Sequence, residues 1–275
     1  GTYGDPLRNQ FRQIGFSIYQ ASGKRVSDAQ EVYDGVPSMH DAKAATIITK
    51  LHEDGLTQPW QERTEQEREL NALRREYDLH YSQYHRNQNR LEAYLNRHWP
   101  EVVYLLELQS VTLENLLREY GSPAEIALNE KEAAQKMKQW GKNGLSLHKI
   151  ELVIQSAANT LGQPCIHAEK YYLQSLAEEL NHSRLQLKQA KKALEAVVKN
   201  ELELKEMGFL IGLVTTAILL SVRLDPRNFY CARAFQKAMG LNLKEKSSGR
   251  YKGQLKLTKR GSSIARRYLY FAALR

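Results

Sequence analysis

Lys244 to Arg267 reads "KEKSSGRYKGQLKLTKRGSSIARR". Nine of these residues are Lys or Arg, and Glu245 is the one acid among them. Ser247, Ser248 and Gly249 sit inside that positive field. A serine hydroxyl is a weak nucleophile until a base or a local field activates it. Attack on a phosphodiester builds negative charge on the equatorial oxygens, which Lys246, Arg250, Lys252, Lys256, Lys259 and Arg260 could offset. A glycine directly after the serine lets the backbone approach a phosphate closely. The composition suits a covalent phosphoserine step. It also suits passive phosphate binding, with the serines as spacers.

The surrounding charge points the same way. The chain carries +9 overall, and residues 225–275 hold thirteen Lys and Arg against Asp225 and Glu245. The rest of the chain is slightly acidic, so the basic character belongs to one C-terminal region. Such a region reads as the footprint of a polyanion, or more plainly as a solvated basic surface. Cys165 and Cys231 lie far apart and offer neither a disulfide framework nor a zinc spacing, which fits a reducing, cytoplasmic setting. The opening residues do not read as a signal peptide. Met207–Val222 is apolar, but it is short for a membrane span and interrupted by glycines, so it reads as a buried helical hairpin.

The elements that must position this chemistry are mostly helical. Residues 1–59 read as a partial α/β piece, with a β-prone run at Gly15–Ser22, a helix near Ser27–Tyr33 and a helix within His40–Gly55. One strand cannot form a sheet alone, so this piece looks like part of a larger domain. Residues 60–206 read as a helical arm. No Pro or Gly occurs from Trp60 to His98, and apolar residues from Leu70 to His98 fall at heptad spacing. A second helix, expected over Ile166–Glu206, keeps a stripe in a/d register through Leu173, Leu176, Leu180, Ser183, Leu187, Ala190, Leu194, Val197, Glu201 and Leu204. The two suggest a long antiparallel coiled coil enclosing shorter helices, with homo-oligomerisation through the stripe. An ordinary helical bundle is the plainer alternative. Residues 207–275 read as a compact helical unit: a hairpin, a helix over Ala232–Met239 stopped by Gly240, the basic loop, and a helix from Ser262.

"GLNLKEKSSGRYKGQLKLTKRGSSIARRYLYFAAL" resembles the C-terminal domain of the DEDD-type, guide-RNA-directed serine transposases. These are the insertion-sequence families one-ten and eleven-eleven, with the Piv-type DNA invertases. Gly240-Leu241, Ser248-Gly249, then Leu257, Lys259 and Gly261, and Arg266 with Leu269 carry the resemblance. Leu243 stands where proline is usual. "GFLIGLVTTAILL" is similar to the family's helix-hairpin-helix piece, with Gly212 kept, and "YDGVPSMHDAKAATIITKLHEDG" to an element of its RNase H/RuvC-like domain.

The resemblance implies a fold of three parts: a partial RuvC-like domain, a coiled-coil arm and the C-terminal serine transposase domain. It implies Ser248 as nucleophile on a DNA phosphate, with Arg266 and Arg267 joining the cations that hold nucleic acid. It also implies donor and target DNA and a guide (bridge) RNA as partners, a nucleoid-associated dimer or tetramer, and no membrane. In the family, four acids hold divalent metal, Mg²⁺. Asp41 matches the third of these, and the fourth position is Ala44. The first two would precede residue 1. The resemblance therefore implies a chain truncated at both ends and inactive in strand exchange, since one carboxylate rarely holds Mg²⁺. A non-catalytic nucleic-acid-binding or assembly protein is the alternative.

Overall fold

The computed structural model of the chain describes residues 4–36, 38–245 and 253–274. The described residues are mostly helical and fall into two compact units, Gly1–Thr64 and Glu65–Arg275.

The first unit holds α1 (Asp5–Gln13), β1 (Tyr19–Gln20), α2 (Gly23–Asp34), α3 (Asp41–Glu53) and β2 (Gln58–Pro59). The β-prone run finds its partner downstream. Tyr19 pairs with Pro59 and Gln20 with Gln58, antiparallel. Ser22 caps α2 by accepting from the Arg25 amide, and Gly35, in the left-handed region, ends it. On α3, Ile47 and Leu51 point inward together with Lys43. The buried Lys43 ammonium donates to Asp34 Oδ1 at 2.6 Å and to the Val36 carbonyl at 2.7 Å. That bond holds the Asp34 carboxyl below its usual range.

The second unit is built on α4 (Glu65–His98) and α10 (His167–Lys199), each about 50 Å long at 1.5 Å per residue. They run antiparallel. Leu70 and Tyr77 of early α4 share a core with Ala190, Leu194 and Val198 of late α10. Leu91 and Leu95 of late α4 share another with Leu173, Leu176 and Leu180 of early α10. Asn87 reaches across to Ser183 Oγ and the Glu179 carbonyl, both at 3.4 Å. The short helices α5 (Val102–Leu105), α6 (Val111–Tyr120), α7 (Pro123–Leu128), α8 (Glu130–Gly141) and α9 (Leu147–Ala158) close the far end around the fully buried Trp99. The indole of Trp99 donates to Ser156 Oγ at 3.1 Å.

Two details differ from the sequence reading. The a/d residues Leu173, Leu180 and Leu194 are fully buried within this one chain, so they are not an open seam for a second copy. The second long helix stops at Lys199, and a separate helix, α11 (Leu202–Ile211), begins before Met207. The a/d stripe hides the break because Leu204 beyond it is also buried.

After α11 the chain turns at Gly212 into α12 (Leu213–Ser221), bent by 115°. Gly212 has φ +88, which an L side chain rarely adopts. No single described helix is long and apolar enough to cross a membrane, although this bent pair passes by length and composition together. Seven of the nine residues of α12 are buried, which is the behaviour of a core helix. The unit ends with α13 (Ala232–Met239), β3 (Leu243–Lys244), β4 (Lys256–Leu257) and α14 (Ser263–Ala273). Leu219, Leu224, Met239 and Ala265 form the small core that holds these pieces together.

Candidate nucleic-acid interface

The basic segment is carried on a strand pair. Leu243 lies opposite Leu257, and Lys244 opposite Lys256. Strands of two residues carry no legible alternation, so the sequence alone showed only a loop here. The base of the pair is closely tied. The Thr258 amide donates to the Asn242 carbonyl at 2.9 Å, and the Lys259 amide to the Gly240 carbonyl at 3.1 Å. Thr258 Oγ1 donates to Asn242 Oδ1 at 2.6 Å. Lys259 takes φ +53, a left-handed conformation uncommon for a residue with a Cβ.

Two glycines permit this geometry. Gly240, at φ +72, ends α13. A Cβ on Gly261 would lie 2.3 Å from the Ala238 carbonyl oxygen and 2.4 Å from the Gly240 nitrogen. The two backbones therefore cross with no room for a side chain, and the hairpin leaves and returns at fixed points.

Not every predicted cation is free to meet a ligand. Arg266 donates through Nη1 to the Met239 carbonyl at 2.9 Å and to the Gly261 carbonyl at 3.1 Å. It thereby closes the C-terminal end of α13 and braces the glycine crossing. Arg267 donates to Asp78 Oδ1 at 2.7 Å and to the Tyr268 hydroxyl at 3.0 Å. Arg227 is occupied by Asp225, Glu201 and Glu203. Lys244, Lys256, Lys259 and Arg260 are exposed and make no salt bridge with a described residue. Lys246, Ser247, Ser248, Gly249, Arg250, Tyr251 and Lys252 lie outside the described residues.

The like-charged pair Lys244–Lys256 carries chemical information. Two ammonium groups directly opposite each other on a sheet destabilise it, and an anion between them removes that cost. Arg233 and Lys237, which the sequence reading did not single out, stand exposed one turn apart on α13. Each is isolated in sequence from the basic run, and only the helix places them on one face.

The interface is anchored to the arm. Asp78 of α4 accepts the Tyr268 hydroxyl at 2.6 Å, Arg267 at 2.7 Å and Arg74 at 2.6 Å. Burial, with Asp78 beside it, pushes the buried Tyr268 phenol well above its usual range, so it stays a donor. Eleven residues earlier on α4, Glu67 receives Arg223 in two bonds, of 2.9 and 2.8 Å. Apart from Arg74, four residues from Asp78 on the same helix, each of these partners is distant from its acid in sequence.

Asp41 is the exposed first residue of α3. Among the described residues no group of three or more His, Cys, Asp or Glu could hold a metal ion. Ala44, one turn along α3, brings no second carboxylate, and the nearby Asp34 is engaged by Lys43. These described residues do not by themselves fit Mg²⁺.

The second unit is mostly helical, and its basic strand pair is braced on the long helix α4. Residues 210–275, which hold the end of α11, α12, α13, the hairpin and α14, match the sequence model of the transposase family described as IS116/IS110/IS902. No curated protein matches the chain.

Proposed function

We propose that this chain engages nucleic acid through the hairpin at 243–257 as the C-terminal domain of a DNA transposase or recombinase. The observation that carries this reading is the coincidence of two independent facts. The match to a transposase family covers residues 210–275, and that same stretch presents Lys244, Lys256, Lys259 and Arg260 on a backbone pinned by Gly240 and Gly261. Phosphates between these cations would relieve the Lys244–Lys256 repulsion.

Within this reading Ser248 is the nucleophile. Its Oγ bonds to a DNA phosphorus, one sugar oxygen leaves, and the serine proton ends on that leaving oxygen. Donor and target DNA are the substrates and a guide RNA is the recognition partner. Any homo-oligomer would use surfaces outside the a/d stripe, which the chain itself already covers.

A second reading, a nucleic-acid-binding chain that does not exchange strands, is favoured by Ala44, which stands where the resemblance implies an acid. Strand-exchange assays with Mg²⁺, DNA and cognate RNA, run on a form that carries all four acids the resemblance implies, separate the two. Exchange lost in Ser248→Ala, with binding retained, supports the serine reading. Binding without exchange, in wild type and Ser248→Ala alike, supports the second. Exchange surviving Ser248→Ala rejects Ser248 as the nucleophile.

A further inference from the structure

We infer that Tyr230, Arg233 and Lys237 form a contact surface for unpaired nucleic acid, separate from the hairpin. Tyr230 stacks on a base, and the two cations hold neighbouring phosphates of the same strand. This rests on the reading that residues 210–275 engage nucleic acid, and it specifies the form engaged.

Phe229 is extended, at φ −116 and ψ 131, and its ring packs edge-on to Phe235 at 5.2 Å. The next side chain, Tyr230, sits in a bend and lies in solvent. It is 94% exposed, the highest value among the exposed large hydrophobics. An outward position next to an apolar core is ordinarily filled by a polar residue. A whole phenol ring in water there carries no packing role within the described residues.

The helix that follows sorts its faces cleanly. Phe235, Ala238 and Met239 pack against Leu219 and Leu224. Arg233 and Lys237 stand on the exposed side, four residues apart, or about 6 Å along the axis. No acid occurs from Pro226 to Lys244, and the carboxylates of Asp225, Glu201 and Glu203 just before this stretch are held by Arg227. An exposed aromatic ring flanked by cations is the combination that binds single strands with little sequence preference. In a duplex the base faces are covered by their neighbours, so the ring has nothing to stack on. The surface therefore discriminates by strandedness.

The test uses the full chain and three labelled probes of equal length: an unstructured DNA strand, its RNA counterpart and the DNA duplex. Affinities are read by fluorescence anisotropy. Tyr230→Ala should weaken single-strand binding by roughly 5- to 150-fold, the range for losing one stacked base. It should leave duplex affinity unchanged, and Tyr230→Phe should behave as wild type. Loss on DNA alone, RNA alone or both supports the surface and says which strand it takes. Arg233→Gln and Lys237→Gln should each reduce the salt slope on single strands by about 0.7. Unchanged single-strand affinity in Tyr230→Ala, or an equal loss on duplex, overturns the proposal while leaving the hairpin reading intact. Failure of wild type to bind any probe overturns both.

Discussion

Gly240 and Gly261 pass so closely that a Cβ on Gly261 would lie 2.4 Å from the Gly240 nitrogen. This crossing ties the end of α13 to the start of α14 and sets where the basic hairpin emerges. The sequence places these glycines on either side of the serine loop, and the structure supplies the reason: both are needed at one point in space.

Gly261→Ala should therefore act on the hairpin before it acts on the arm. The methyl group meets backbone atoms, which cannot swing aside as a flexible side chain could. A loss on the order of 1–3 kcal/mol is expected, as for overpacking at a tight site. Thermal unfolding should show the loss, and nucleic-acid affinity should fall with it. A variant with wild-type melting and affinity would show that the crossing relaxes freely.

Asp78 and Tyr268 should be energetically coupled. Asp78→Ala leaves the Tyr268 hydroxyl buried without its acceptor, costing about 1–3 kcal/mol. Tyr268→Phe removes the donor and should cost less, since Arg74 and Arg267 still satisfy Asp78. In a double-mutant cycle read by urea unfolding, the two should be non-additive by about 0.5 kcal/mol or more. Simple additivity would mean that α14 is held to α4 by apolar packing and the Arg267–Asp78 pair, without a contribution from the Tyr268 bond.

Glu114 of α6 gives the stability a pH signature. It is 1% exposed, and its carboxylate meets Arg184 at 2.8 Å. Burial pushes the carboxyl up to about 7, against Arg184 and Arg118, which pull it down. The folded value lies above the unfolded one, so the native state holds this proton more tightly. The contribution is fully present below the ordinary carboxyl value of 4.5 and is lost as pH rises through about 7. The total change is on the order of 3 kcal/mol. Urea midpoints should fall across that window, and Glu114→Gln should flatten the fall. An equal fall in Glu114→Gln would assign it to other groups.

Helices with strong punctuation were legible in the sequence. Gly240 ends α13 and Ser262 caps α14, accepting from the Ala265 amide at 3.2 Å. The break at Asn200–Glu201 was not legible, because apolar spacing continues across it to Leu204. The hairpin was hidden because its strands are too short to show a period. The density of cations could be counted, but not which of them were engaged. Arg267 meets Asp78 across 189 residues, and no local pattern records such a pair.

The central claim is that the exposed hairpin cations bind a nucleic-acid backbone, and a salt titration tests it most directly. Duplex DNA affinity of the full chain would be measured from low to moderate salt, beside a variant with Lys244, Lys256, Lys259 and Arg260 all changed to Gln. Each phosphate contact contributes about 0.9 to the log–log slope. The account predicts a steep slope for wild type and a slope shallower by about 0.9 for each of these cations that meets a phosphate. A wild-type affinity that is flat with salt, or a slope that the four substitutions leave unchanged, would contradict it.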